Sequence, residues 1–182
     1  MSFKFIELNT KGLILIKTDV FEDKRGYLFE AFKESEFIKN GINLKFKQDN
    51  ISFSYKNCLR GLHFQIEPKA QAKLIRCVKG EIFDVAVDLR KNSETFGKWE
   101  GVILSEKNKD MLFIPEGFAH GFLVLSDYAI VLYKLSEEYS KEHERGIRWN
   151  DPEINIDWPV KNPILSEKDS NLPFLRDLDF NF

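Results

Sequence analysis

The sequence predicts an all-β fold, a barrel or double-sheet jelly roll with a few short helices and an ordered C-terminal tail. Three observations predict it. Strand-like runs recur at short intervals from "LILIKTDV" to "AIVLYKL", helical character is confined to one short stretch, and no repeat, linker or low-complexity run divides the chain. Many short antiparallel strands of this kind close into barrels or paired sheets. At 182 residues the chain fits one domain, 1–182, and a domain of that size buries roughly 70% of its unfolded surface.

The elements follow in order. After "LILIKTDV", the segment "DKRG" reads as a turn, and "KESEFIKNG" as a helix that Gly41 ends. "AKLIRCV" and "KGEIFDVAVDLR" are strands joined by a turn at Gly80. In the second, Phe83, Val85, Val87 and Leu89 alternate with Ile82, Asp84, Ala86 and Asp88, the period of two of a strand with two different faces. "WEGVILS", "MLFIP" and "GFAHGFLVL" continue the series, and Ser126-Asp127 turns into "YAIVLYKL". Beyond Tyr139 the pattern loosens into a stretch that holds four of the six prolines. Trp149, Ile156 and Trp158 argue that this stretch is ordered and wraps over the barrel, because disordered segments are poor in aromatics.

Composition removes several function classes. The 27 basic and 29 acidic residues leave a formal charge of -2, so no overall field draws nucleic acid or an anionic membrane. "MSFKFIELNTKG" lacks the apolar segment of a signal peptide, and no apolar run approaches the ~20 residues that span a bilayer; a cytoplasmic protein is expected. Cys58 and Cys77 form no CxxC pair and read as small buried hydrophobes. The 17 phenylalanines, 3 tryptophans and 5 tyrosines suit large apolar faces.

Two of the three histidines lie in barrel strands, His63 in "LRGLHFQ" and His120 in "IPEGFAHGF". His120 shares a strand face with Phe118, Phe122 and Val124, which aims it into an aromatic-lined space. "PEGFAH" has the spacing of the second motif of the cupin barrels, and "GLHFQ" resembles the first. Cupins commonly hold a metal through two histidines and a glutamate of the first motif plus the histidine of the second. Here Gln65 occupies the second histidine position, and Glu67 comes too early for the glutamate. Two imidazoles fall short of the three protein ligands of a catalytic zinc or facial-triad iron site, so no metal is expected.

Arg60, Lys73, His120 and Tyr133 all fall on or beside barrel strands. Lys73 shares a face with Ile75 and Cys77, and Tyr133 with Ala129 and Val131. A lysine among apolar neighbours reads either as solvated or as lining a cavity. The offset of three between Arg60 and His63 points them to opposite faces of a regular strand. Either Gly61 breaks the alternation or Arg60 precedes the strand; the spacing leaves both open.

"DKRGYLFEAF", "QDNISFSYKNCLRGLHFQ", "QAKLIRCVKGEIFDVAVDLRKNSETFG", "FIPEGFAHGF", "YKLSEEYSKEHERGIRWNDP" and "ILSEKD" together resemble the dTDP-4-dehydrorhamnose 3,5-epimerase family, in order and along nearly the whole chain. The resemblance implies a cupin-type jelly roll without metal or cofactor, a homodimer, and a dTDP-4-keto-6-deoxyhexose substrate on the route to dTDP-L-rhamnose. It implies that His63 is the base, Asp169 its partner and Tyr133 the acid. Arg25, Glu30, Gln48, Asp49, Asn50, Arg60, Lys73, His120, Glu144 and Lys168 would hold substrate, with Lys73 also steadying the reacting oxygen. Tyr139 either stacks on the thymine base or merely packs.

These residue types suit the implied reaction. A C4 ketone acidifies the hydrogens on C3 and C5, and removing either leaves an enolate whose charge must be held. Histidine, with a reference pKa of about 6.5, accepts a proton at neutral pH, while tyrosine, at about 10, donates one. An aspartate on the other imidazole nitrogen fixes the tautomer. Arginines suit diphosphate oxygens. A relative that inverts a single carbon needs the same groups, and a binding module without chemistry would keep the pocket but not the acid and base.

Overall fold

The computed structural model describes residues 2–180 and 182. Strands β1 (Phe3–Glu7) and β2 (Ile14–Thr18) pair antiparallel, and β3 (Phe21–Asp23) and β4 (Gly26–Leu28) form a small hairpin. After the helix α1 (Glu34–Lys39) come β5 (Gln48–Tyr55), β6 (Leu59–Gln65), β7 (Lys73–Lys79) and β8 (Glu81–Asp88). They are followed by β9 (Trp99–Ser105), β10 (Met111–Ile114), β11 (Phe118–Val124) and β12 (Tyr128–Leu135). A short β13 (Glu144–Gly146), a one-turn helix α2 (Glu167–Ser170) and a 3-10 turn at Leu175–Asp177 complete the chain. Among the described residues no helix is long and apolar enough to cross a membrane.

Two sheets face each other, a six-stranded one in the order β1-β2-β10-β7-β12-β5 and a five-stranded one in the order β13-β6-β11-β8-β9. This is the double-sheet jelly roll that the strand pattern predicts. From β5 to β12 every connection except β8 to β9 passes from one sheet to the other. Gly80 therefore closes no hairpin; it bends the chain across the barrel. Its φ is +80, and a Cβ there would lie 2.1 Å from the Tyr128 carbonyl oxygen, which leaves room only for glycine. Strand β1 and helix α2 escape the pattern reading. "FKFIE" is short, and α2 is a single turn held by the Ser166 side chain accepting from the Asp169 N–H, without the apolar period that marks longer helices.

The barrel interior is apolar. Ile75 and Cys77 of β7, Ile82 and Ala86 of β8, Phe118 and Phe122 of β11, and Ala129 and Val131 of β12 pack together there. The other face of the five-stranded sheet carries Leu62, Phe64, Val85, Val87, Ala119 and Leu123, and the C-terminal segment covers it with Ile147, Ile154, Trp158, Leu175 and Phe180. Each of the larger aliphatic and phenylalanine side chains removed from water contributes about 1.5–3 kcal/mol. That is why the proline-rich tail is ordered, and why β11 is buried along its whole length.

Helix α1 covers part of the six-stranded sheet. Its acidic Glu34 and Glu36 lie in the first turn and Lys39 in the last, matching the helix dipole, and Gly41 ends it with φ +87. Phe37 points inward against Phe3, Phe5 and Phe32, and closes a cluster with Ile16, Leu74 and Met111. The β12–β5 end of the same sheet is left bare, with Ile51, Phe53, Tyr55 and Tyr128 exposed.

Strand β6 carries the irregularity on which the site turns. Opposite β11, His63 pairs with His120 but Arg60 with Phe122, so three steps on β6 match two on β11. The extra residue falls at Gly61, whose φ is +125, and the bulge turns Arg60 and His63 to one face. Gly61 and Gly121 lie against each other: a Cβ on Gly61 would sit 2.6 Å from Gly121 Cα, and one on Gly121 2.7 Å from the Arg60 carbonyl oxygen. Replacing Gly61 by alanine forces the strands apart and strains the backbone. We expect G61A to lose about 2 kcal/mol or more, read as a fall in Tm of roughly 4–8 °C, together with a loss of cavity function.

Candidate active site

A cavity of about 600 Å³ opens between the sheets at one end of the barrel, within the range of small-molecule sites. The five-stranded sheet contributes Arg60, His63, His120 and Phe122; the six-stranded sheet contributes Asp49, Asn50, Ser52, Lys73 and Tyr133. Ser166, Lys168 and Asp169 enter from the tail. The jelly roll thus sets an imidazole on one wall and a phenol on the other.

His63 Nε2 meets Asp169 Oδ1 at 2.6 Å. If the carboxylate accepts the Nε2 proton, Nδ1 keeps a lone pair for an incoming proton. Asp169 is delivered by the segment before α2. The Ile164 carbonyl accepts from Leu59 N–H at the start of β6, and the Asn57 carbonyl accepts from Ile164 N–H. Burial works to raise the Asp169 pKa, but hydrogen bonds from His63, Ser166 and the Gly61 backbone outweigh it and hold the carboxyl below its ordinary value. The glycine bulge thus helps to hold both members of the pair.

Across the cavity, Tyr133 bonds the Ser52 hydroxyl at 3.0 Å. Burial raises its phenol well above the ordinary tyrosine value, with the Ser52 bond and the Arg60 charge opposing only in part. It remains protonated at neutral pH. Lys73 is buried and donates to the His63 carbonyl at 2.9 Å. Burial pulls its pKa down to about 8, against the raising influence of Asp84 and Glu144. His120 Nε2 pairs with Asp84 Oδ1 at 2.8 Å; burial depresses the imidazole below its ordinary value while the carboxylate opposes.

The remaining expected residues divide by position. Asp49 lines the cavity and accepts from Lys134 Nζ; Arg60 lines it and donates to Ser54 Oγ at 2.8 Å. Tyr139 stands at the mouth, 55% exposed, and donates to Glu144 Oε2 at 2.9 Å, while Lys168 pairs with the other Glu144 oxygen. Glu144 and Gln48 stand just behind the wall: Gln48 accepts from Tyr139 N–H and donates to Asn50 Oδ1. Arg25 and Glu30 lie outside the cavity of their own chain. Arg25 sits on the β3–β4 turn, 84% exposed and paired with Asp23, and Glu30 follows β4.

Sequence reasoning missed Asp84, Ser52 and Ser166 as site residues. A signal existed for Asp84: it shares the inward face of β8 with Ile82 and Ala86, and a carboxylate among core positions needs a partner. Ser52 carried none. Cys77 is buried as expected, with its thiol pushed up to about 12 by burial, whereas Cys58 is only half-buried.

Fold and cavity together define a class: a cupin-type double-sheet jelly roll whose cavity sets a carboxylate-paired imidazole opposite a phenol, a layout suited to proton transfer. A family model described as dTDP-4-dehydrorhamnose 3,5-epimerase matches residues 7–177, and the chain belongs to that family. The dTDP-4-dehydrorhamnose 3,5-epimerase of Methanothermobacter thermautotrophicus is 55% identical over 178 residues, covering 96% of each chain. A crystal structure of dTDP-6-deoxy-D-glucose-3,5-epimerase from Legionella pneumophila, in complex with dTDP-4-keto-L-rhamnose, superposes with a TM-score of 0.94 at 43% identity, covering 98% of this chain and 95% of that one. The Bacillus anthracis epimerase with TDP and PPi bound gives 0.93 at 47% identity, covering 96% and 100%.

The buried cation is directly measurable. In protein labelled at the lysine side chains, NMR titration should show Lys73 changing with a midpoint near pH 8, well below ordinary exposed lysines. Replacing Asp84 by asparagine removes a charge that favours the ammonium, so D84N should move that midpoint lower; an unchanged midpoint would mean that Asp84 does not act on Lys73.

Proposed function

We propose that this chain epimerises dTDP-4-dehydro-6-deoxy-D-glucose at C3 and C5, giving dTDP-4-dehydro-L-rhamnose for dTDP-L-rhamnose synthesis in the cytoplasm. The observation that carries the reading is the cavity with the carboxylate-paired His63 on one wall and Tyr133 on the other. Membership of the family and the likeness to a relative holding dTDP-4-keto-L-rhamnose support the choice of substrate.

The chemistry follows from the positions. His63 takes the proton from the carbon next to the C4 ketone, and the electron pair moves onto the ketone oxygen as an enolate. The imidazolium that results is stabilised by Asp169. Lys73, desolvated and still largely charged at neutral pH, offsets the oxyanion charge. Tyr133 then gives its proton to the opposite face of the same carbon. Its raised pKa keeps the proton in place until the enolate forms, and both groups reset by exchange with solvent. Arg60 and Lys168 supply positive charge for the diphosphate. No hydride moves and no carbon is oxidised, so the proton relay closes without an external reagent.

A homodimer belongs to the same reading. The β12–β5 face presents Ile51, Phe53, Tyr55 and Tyr128 to solvent, and the β3–β4 hairpin adds Phe21, Tyr27 and Leu28. Exposed apolar patches of this kind mark association surfaces. A second copy that lays its β3–β4 hairpin beside this cavity would bring Arg25 and Glu30 to the substrate that the resemblance assigns them.

Two experiments test these statements. In heavy water with the nucleotide sugar, the protein should place deuterium at both C3 and C5, and H63A should slow both exchanges by at least ~100-fold. Label at one carbon alone would identify a single-carbon epimerase, and binding without exchange a module lacking chemistry. For the dimer, coexpressed H63A and R25A chains should recover about a quarter of wild-type activity, since half of the random dimers hold one intact site of two. If both variants are inactive alone, no recovery would return Arg25 to its own chain's site, whereas full activity of R25A by itself would remove Arg25 from substrate binding.

A further inference from the structure

The strongest unassigned feature is the side chain of Gln65, two residues beyond His63 on β6 and only 3% exposed. It lines no part of the cavity, yet every polar atom of its amide is engaged. Nε2 donates to the Lys69 carbonyl at 2.7 Å and to the Glu138 carbonyl at 3.2 Å, and Oε1 accepts from Ser140 N–H at 2.7 Å. The bonded groups are the carbonyl just before Tyr139 and the amide just after it. Gln65 brackets that one residue.

We infer that Gln65 is a positioning residue for the reaction: its amide clasps the strap Glu137–Ser140 and thereby sets the Tyr139 ring at the cavity mouth. The inference rests on the dTDP-sugar reading of the cavity. Only a primary amide offers two N–H donors and an acceptor from one short side chain. A carboxylate would face two carbonyls with oxygens of its own, and an imidazole would lack a donor. Other bonds also reach the strap: Gln71 donates to the Glu137 carbonyl at 2.6 Å, Lys47 Nζ donates to the Glu137 carboxylate, Gln48 accepts from Tyr139 N–H at 2.8 Å, and the Ser140 carbonyl accepts from the His143 and Glu144 N–H groups. Among the described residues, Gln65 is the side chain that bonds both backbone groups flanking Tyr139.

From the bracketed backbone a chain of contacts runs across the opening, from Tyr139 to Glu144 to Lys168. Releasing the clasp lets the strap drift and carries the ring, and the charges tied to it, away from a ligand that enters there. The acid–base groups hold their own anchors, Asp169 through Ser166 and Gly61 and Tyr133 through Ser52. Loss of the clasp should therefore weaken binding and spare the chemical step.

The test uses Gln65→Met, close in length but without hydrogen-bonding groups, with dTDP binding by calorimetry and turnover of dTDP-4-dehydro-6-deoxy-D-glucose. We expect the Kd for dTDP and the KM to rise about tenfold with kcat nearly unchanged. Tyr139→Ala should raise Kd by a similar factor, and the double variant should bind no worse than Tyr139→Ala alone. An unchanged Kd in Gln65→Met, a fall in kcat matching the rise in KM, or losses that multiply in the double variant would each overturn the clasp. If Gln65→Met fails to fold, Gln65→Asn, which keeps the amide but falls a methylene short, should give the same KM-only effect, and a wild-type KM there would overturn it. Wild-type protein that neither binds dTDP nor turns over the sugar sinks the functional reading instead.

Discussion

Everything about this cavity depends on two backbones coming closer than side chains allow. Gly61 and Gly121 occupy each other's side-chain space, and that contact lets β6 take one residue more than its partner. Without the extra residue, Arg60 and His63 would point to opposite sides of the sheet. One would face the buried layer under the tail, where an unpaired charge costs several kcal/mol. With it, the Arg60 guanidinium and the His63 imidazole from one short strand line the same cavity, and the Gly61 N–H is turned to the carboxylate that pairs with His63.

The jelly roll then supplies what a single sheet cannot. Because nearly every connection between β5 and β12 changes sheets, residues distant in the chain come to face each other across a narrow apolar gap. His63 and Tyr133 lie on opposing sheets, as do His120 and Lys73. The same burial pushes Lys73, His120 and Tyr133 away from their ordinary titration ranges in the directions that favour, respectively, a loosely held proton, a neutral ring and a retained phenol. The fold sets the chemistry of these groups as much as their places.

Much of this is legible in the sequence. Strand β8 follows the period of two closely, β9 to β12 read as strands in the same way, and the aim of His120 into the interior follows from its apolar neighbours on the same face, whereas spacing leaves Lys73 open between solvent and cavity. What the pattern hid was non-local. The Gly80 and Ser126-Asp127 turns look the same whether they close a hairpin or cross to another sheet, because a turn's residues record its local bend and not its destination. Asp169 and Glu144 sit in charged segments that read as surface, and only docking of Ile164 along β6 and of β13 beside it carries them inward. Arg25 and Glu30 show the opposite limit: family likeness marks them for substrate, while their own chain holds them away from its cavity.

The tail has a double duty that bears on how the protein comes into being. Residues 147–180 shield the apolar back of the five-stranded sheet, and within that same stretch lies Asp169, the partner of His63. Chains are made from the N-terminus, so a nascent chain on the ribosome can complete every barrel strand while the tail is still inside the exit tunnel. At that stage one sheet shows its greasy back to water, and His63 lacks its carboxylate partner. Covering the sheet and pairing His63 belong to the same docking of the tail, so a half-made molecule is both sticky and without its imidazole–carboxylate pair.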